Sequence, residues 1–176
     1  YVMLANHTFM FDVVHVPLRF TRPPFIVASQ TLFSKQPLKF LLTHIAHAIP
    51  KSKGASDLRT ARELIGAVKR GHSILIFPEG DTTFSGETRH IEESTFKLIK
   101  KLKIDVIACK VSGGYLSKPR WATGSRKNRR IHMDYSIVIK KDDLVKMSLD
   151  EISRTIHTSL YNNDYEYQRK HMIKHP

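Results

Sequence analysis

At 176 residues and 41% hydrophobic content the chain is long enough for one core and short for two, so a single domain over residues 1–176 is expected. A formal charge of +13 draws it to polyanions, whether anionic lipid headgroups, nucleic acid or an acidic carrier protein, and excludes none of the three by itself. Cys109 is the only cysteine, which excludes an internal disulfide and points to a reducing compartment, and no run approaches the roughly 20 apolar residues that span a bilayer.

The apolar run Tyr1 to Ala5 reads as a buried strand, and because it begins at the first residue, further sequence is expected upstream. A helix through Val13 to Arg19 follows and is stopped by Pro23-Pro24, after which Phe25 to Ala28 forms a short strand. Ser34 caps a helix over 37–48 with Leu38, Leu41, Leu42 and Ile45 on one face. The polar loop Lys51-Ser52-Lys53-Gly54 precedes a helix capped by Ser56 or Asp57, with Leu58, Ala61, Ile65 and Val68 turned inward and Gly71 as its end. Ser73 to Phe77 has the continuous apolar character of a parallel strand covered on both faces, and Pro78 ends it by removing a ladder donor.

Beyond the loop from Asp81 to His90, a helix from about Glu92 to Lys103 leads to a strand over Val106 to Val111 and a flexible turn at Gly113-Gly114. Ile131, Met133, Tyr135, Ile137 and Ile139 recur with the period of a strand that buries one face. Ser148-Leu149-Asp150-Glu151 is a capping box that opens a helix through Ile152, Ile156 and Leu160, and the tail over 163–176 is polar and expected to be only partly ordered. Strands alternating with helices in this way read as an α/β fold.

The chemistry concentrates in Asn6-His7-Thr8-Phe9-Met10-Phe11-Asp12 and in Phe77-Pro78-Glu79-Gly80, each placed just after an apolar strand, where α/β sheets keep their active sites. Positions five apart lie on opposite faces of a strand and roughly 140° apart around a helix. His7 and Asp12 therefore meet only across a turn that joins strand to helix. An aspartate on one ring nitrogen would fix the tautomer and raise the basicity of the other. Glu79 either accepts from acceptor hydroxyls or holds its loop through backbone amides, and Gly80 permits close backbone approach to a ligand. No zinc-binding pattern occurs, and His44 and His47 read as surface or packing residues. The basic cluster of Arg120, Arg126, Lys127, Arg129 and Arg130 is either a solvated loop or a cationic surface for anionic lipid or carrier protein.

Asn6-His7 with Asp12, then Phe77-Pro78-Glu79-Gly80, then Val106-Ile107-Ala108 leading to Gly113-Gly114, resemble the ordered blocks of the glycerolipid acyltransferases, closest to the 1-acyl-glycerol-3-phosphate acyltransferase (PlsC-like) family. The resemblance runs from Tyr1 to about Asp164. It implies a mixed, largely parallel central sheet flanked by helices, and an enzyme that moves a fatty acyl group from an acyl thioester to a glycerol hydroxyl. The donor would be acyl-ACP or acyl-CoA, used as co-substrate with no further cofactor. The implied setting is the cytoplasmic face of a membrane. His7 and Asp12 are then the catalytic pair, and Asn6, Glu79, Gly80 and Thr82 belong to the substrate-binding set. A basic residue between the two main blocks binds the acceptor phosphate in the family, and Lys51 and Lys53 stand where that block falls. Two positions depart from the pattern: Phe9 replaces a common serine, and Asp81-Thr82 replaces a common Thr-Arg pair. With that arginine missing, Arg89 is the residue expected to reach the phosphate in bidentate fashion. The acceptor stays open between lysophosphatidic acid and another lysolipid. A non-catalytic basic module for membrane or nucleic acid is the competing reading, and no nucleic-acid motif supports it.

Overall fold

The computed structural model describes residues 1–29, 48–51, 58–123 and 131–172. The helix expected over 37–48, all but its last residue, with its Ser34 cap, the histidines at 44 and 47, the caps Ser56 and Asp57, Lys53, and the basic residues Arg126, Lys127, Arg129 and Arg130 lie outside the described residues.

Six strands form one sheet, in the order β3-β2-β4-β1-β5-β6. They are β1 (Val2–Ala5), β2 (Phe25–Ser29), β3 (Ile49–Lys51), β4 (Ile74–Ile76), β5 (Val106–Ser112) and β6 (His132–Ile139). β1 runs parallel to both β4 and β5, β2 runs parallel to β3 and β4, and only β6 is antiparallel. The helices are α1 (Asp12–His15), continued by a 3-10 turn over Pro17–Arg19, then α2 (Leu58–Lys69), α3 (Glu93–Leu102), α4 (Lys141–Lys146), α5 (Leu149–Leu160) and α6 (Asp164–Met172). This is the mixed, largely parallel α/β sheet expected.

All four residues of β1 and all three of β4 are buried, as central strands of a sheet covered on both faces must be. On one face Val2, Leu4, Ile74, Ile76 and Ala108 pack against Leu64 of α2, Phe96 and Ile99 of α3, Leu144 of α4 and Ile152 and Ile156 of α5. On the other, Met3, Ala5, Leu75, Phe77, Cys109 and Val111 meet Val16 and Ile26, with Tyr1, Val13 and Phe20 beside them. Cys109 is fully buried there, and burial pushes its thiol up to about 12, so it behaves as a small apolar side chain. Ser148 accepts from the Glu151 amide while Glu151 accepts from the Ser148 amide, the reciprocal cap read from the sequence of α5.

One expectation needs correction. The alternating residues of β6 do not share one buried face: a bulge opposite Val106 and Ile107 pairs them with Ile139 and Ile137, so Ile139 turns into the core while Ile137 stays 60% exposed. One extra residue in an edge strand reverses the side from which its neighbours project. The described part of the polar tail forms α6. Asp164 opens α6 and is fully buried, and its amide donates to the Gly86 carbonyl at 2.7 Å.

Candidate active site

Three neighbouring strands, β4, β1 and β5, deliver their carboxyl ends to one place. β1 ends in Asn6-His7, β4 in Phe77-Pro78-Glu79, and β5 in Ser112-Gly113-Gly114. A parallel sheet puts these ends on the same edge, so blocks about seventy and one hundred residues apart in the sequence meet without any long-range signal being needed.

The turn between β1 and α1 does what the five-residue spacing requires. His7 Nδ1 lies 3.1 Å from Asp12 Oδ2, with the imidazole side chain 13% exposed and the carboxylate fully buried. The same Asp12 oxygen accepts from the Thr8 amide at 2.6 Å and the Phe9 amide at 2.9 Å, and the Thr8 hydroxyl donates to it at 3.2 Å. The buried carboxylate is thus held by several donors at once, which compensates for the loss of water. The His7 ring also lies against the Phe77 ring, with centroids 4.6 Å apart. With Nδ1 facing Asp12, Nε2 is the nitrogen left to meet a substrate.

Glu79 is the second fixed point. One carboxylate oxygen accepts from the His7 amide at 2.7 Å and the other from the Arg89 amide at 2.6 Å. Of the two uses open to it in the sequence, the structure shows the backbone one. Burial pushes its carboxyl up to about 7, against the opposing pull of those two amides and of the His7 and Arg89 charges. Asn6 is likewise turned to the backbone: its amide donates to the Val111 carbonyl at 2.9 Å and accepts from the Val111 amide at 2.6 Å, which continues the β1–β5 ladder by one side chain. Gly80 has φ +71, a left-handed conformation, and a Cβ built there would meet nothing within 4 Å. The left-handed backbone by itself accounts for a glycine here, and the open space beside it leaves room for a ligand.

Thr82 donates its amide to Asp81 at 2.8 Å, and Arg120 bridges to Asp81 Oδ2 at 2.8 Å. The guanidinium of Arg89 stands 4.0 Å from the same oxygen. Partial burial would raise the Asp81 carboxyl, but the Thr82 amide, Arg120 and Arg89 together hold it below its ordinary value. Lys51 ends β3, on the far edge of the sheet from β5, and its side chain is outside the described residues. A depression of about 390 Å³ is lined by Thr88, Arg89, His157, Thr158 and Tyr161, so it shares Arg89 with this region but neither His7 nor Asp12. Among the described residues, no group of three or more His, Cys, Asp or Glu could hold a metal ion.

Several residues of the site were not read from the sequence. Thr8 braces Asp12, and Thr83, 3% exposed, donates its amide to the His7 carbonyl at 2.9 Å. Asn162 shares the Val111 carbonyl with Asn6. Asp164 accepts from the Gly113 and Tyr115 amides. Thr8 lay inside the motif and its hydroxyl was a usable signal; the others act across gaps of 49 residues or more and onto backbone groups that sequence does not display.

A histidine braced by a buried carboxylate at the carboxyl edge of parallel strands is an arrangement chemically able to act as a general base. The family model described as Acyltransferase matches residues 1–112, and the chain belongs to that family. Among solved structures it is similar to the 1-acyl-sn-glycerophosphate (LPA) acyltransferase, PlsC, from Thermotoga maritima, with a TM-score of 0.72 at 16% sequence identity, covering 90% of this chain and 64% of that one. At that identity the likeness is one of fold. The chain spans about two thirds of the length of that structure. No curated protein matches.

Proposed function

We propose that this chain transfers a fatty acyl group from an acyl thioester, carried by acyl carrier protein or CoA, to the hydroxyl of a lysophospholipid. The acceptor that fits best is 1-acyl-glycerol-3-phosphate, giving phosphatidic acid. The observation that carries the reading is the 3.1 Å contact between His7 Nδ1 and the buried Asp12, in a turn at the carboxyl edge of the sheet. No cofactor enters this scheme, and the enzyme works at the cytoplasmic face of a membrane, drawn to anionic lipid by its +13 charge.

An alcohol is a poor nucleophile at neutral pH, so a base must take its proton as the C–O bond forms. His7 Nε2 does this, and Asp12 stabilises the imidazolium that results. The tetrahedral intermediate then collapses with cleavage of the C–S bond, and the imidazolium returns its proton to the departing thiolate. Both substrates are held together, so proximity supplies much of the acceleration and no acyl-enzyme is required. The tetrahedral oxyanion needs hydrogen-bond donors; of the backbone amides that follow His7, those of Thr8 and Phe9 are already committed to Asp12, which leaves the oxyanion to other groups.

Asn6, Glu79 and Thr83 serve this chemistry by positioning His7 rather than by touching substrate. For the acceptor phosphate, Arg120 joins Arg89 as a guanidinium beside the loop after Gly80, while Lys51 and Lys53 remain the basic residues that the family pattern suggests. Asp81 between the two arginines favours a second reading in which the acceptor is a lysolipid with a less anionic headgroup. The test is a matrix of acyl-ACP and acyl-CoA donors against lyso-acceptors, read by mass spectrometry for wild type and His7→Ala in parallel. Product from one lysophospholipid with wild type and a loss of about 10²- to 10⁴-fold in the variant is expected. Equal turnover by both would defeat the reading.

A further inference from the structure

Three routes lead from Asn162 and Asp164, at the start of α6, toward the His7 turn, two through hydrogen bonds and one through hydrogen bonds followed by close packing. In the first, the Asp164 carboxylate accepts from the Gly113 amide and from the Tyr115 amide at 2.7 Å, fixing the turn whose middle residue is Gly114. Gly114 is packed so tightly on the catalytic turn that an added Cβ would collide with Thr8 Oγ1 and come within 2.7 Å of the Phe9 ring. Thr8 and Phe9 are the residues whose amides hold Asp12. In the second route, the Asp164 amide donates to the Gly86 carbonyl at 2.7 Å, the Gly86 amide donates to Thr83 Oγ1 at 3.0 Å, and the Thr83 amide donates to the His7 carbonyl at 2.9 Å. In the third, Asn162 donates to the Val111 carbonyl at 3.0 Å, the same oxygen that Asn6 uses.

We propose that Asp164 is a positioning residue for acyl transfer, setting the His7–Asp12 geometry from outside the part of the chain that the family model matches. The inference rests on the function proposed above. Asp164 touches neither His7 nor Asp12 and acts through backbone groups: it presses the Gly113–Tyr115 turn against Thr8 and Phe9, and ties the loop holding Thr83 to the same point. A fully buried carboxylate with two amide donors is a rigid peg, because any shift leaves buried polar groups unpaired. Burial pushes its carboxyl above the ordinary value, and the nearby Asp12 charge adds to that, while the Gly113 and Tyr115 amides oppose it. Gly114→Ala perturbs the same turn from the other side, so the two changes act on one element.

The test uses the full-length protein with Asp164→Asn, Gly114→Ala, the double variant and, as a control for lost stability, Leu144→Ala, whose side chain is fully buried among the helices on the opposite face of the sheet. Asp164→Asn should lower kcat by about 10²-fold, the cost of a small misplacement of reacting groups, with KM for donor and acceptor little changed. Leu144→Ala, at a comparable loss of melting temperature, should keep its kcat. The double variant should be no worse than the poorer single one. The downfield NMR signal of the His7 Nδ1 proton, assigned by its loss in His7→Gln, should shift or broaden in Asp164→Asn and stay in place in Leu144→Ala. If Asp164→Asn does not fold, Asn162→Ala removes the third route together with the Asn162 side-chain hydrogen bond to Asp164, leaves the Gly113 and Tyr115 amides on the carboxylate, and should shift the same signal by a smaller amount. An unmoved His7 signal, or a kcat no lower than that of the stability control, overturns the inference. Absence of acyl transfer by wild type would sink the proposed function instead, and the NMR signal decides the positioning role in either case.

Discussion

Replacing Glu79 with glutamine isolates a buried titration next to the His7–Asp12 turn. In the folded chain this carboxyl is pushed up to about 7 from an ordinary value of 4.5, because burial outweighs the two backbone amides that it accepts. Between those two pH values the folded state binds more protons than the unfolded state. The Glu79 contribution to stability is therefore complete below about pH 4.5 and is lost as pH rises through about 7. A difference of that size corresponds to about 3 kcal/mol, and with Glu79 only 8% exposed little of it is screened by solvent. Glutamine does not titrate. It keeps one carbonyl acceptor and sets an amide donor against the second backbone N–H, a pH-independent cost of about 1–3 kcal/mol. Urea unfolding of both proteins between about pH 4 and about pH 8 gives the comparison, and other titrating groups cancel in the difference. Wild type should lose about 3 kcal/mol relative to Glu79→Gln across that range. A difference constant to within about 1 kcal/mol would refute the raised pKa and, with it, the physical account of this carboxylate.

Asp12→Asn leaves one oxygen to serve the Thr8 and Phe9 amides and turns a donor toward one of its former partners, so turnover should fall by about 10²- to 10⁴-fold; near-normal kcat would remove Asp12 from the mechanism. Arg120→Ala should raise KM for a phosphorylated acceptor more than Arg89→Ala does, because Arg120 makes the 2.8 Å contact in the loop and Arg89 stands 4.0 Å away. Equal and unchanged KM values in both variants would place the phosphate elsewhere. Gly80→Ala should cost about 1–2 kcal/mol in stability for its left-handed backbone while KM is retained, since open space surrounds the added methyl. A large rise in KM would show that a ligand approaches the backbone there.

Much of the site was readable because its residues sit close in sequence or directly after an apolar strand. The five-residue interval between His7 and Asp12 admits only a strand–turn–helix solution, and that is the geometry found. The capping box of α5 and the buried strands β1 and β4 were legible for the same reason, since each depends on local pattern and backbone chemistry. Glu79 stood between two uses in the sequence because its choice depends on which donors reach it, and those are backbone groups of His7 and Arg89, far apart along the chain.

The sequence alone determined the strand–helix alternation, the neighbourhood of His7 and Asp12 and the large positive charge, because periodicity, turn chemistry and composition are local properties. Tertiary structure decided what holds that neighbourhood in place. The bulge that turns Ile137 outward, the convergence of β4, β1 and β5, and the Asp164 peg beneath Gly114 all depend on which backbone amides the folded sheet brings within hydrogen-bond reach, and every residue carries the same amide whatever its side chain.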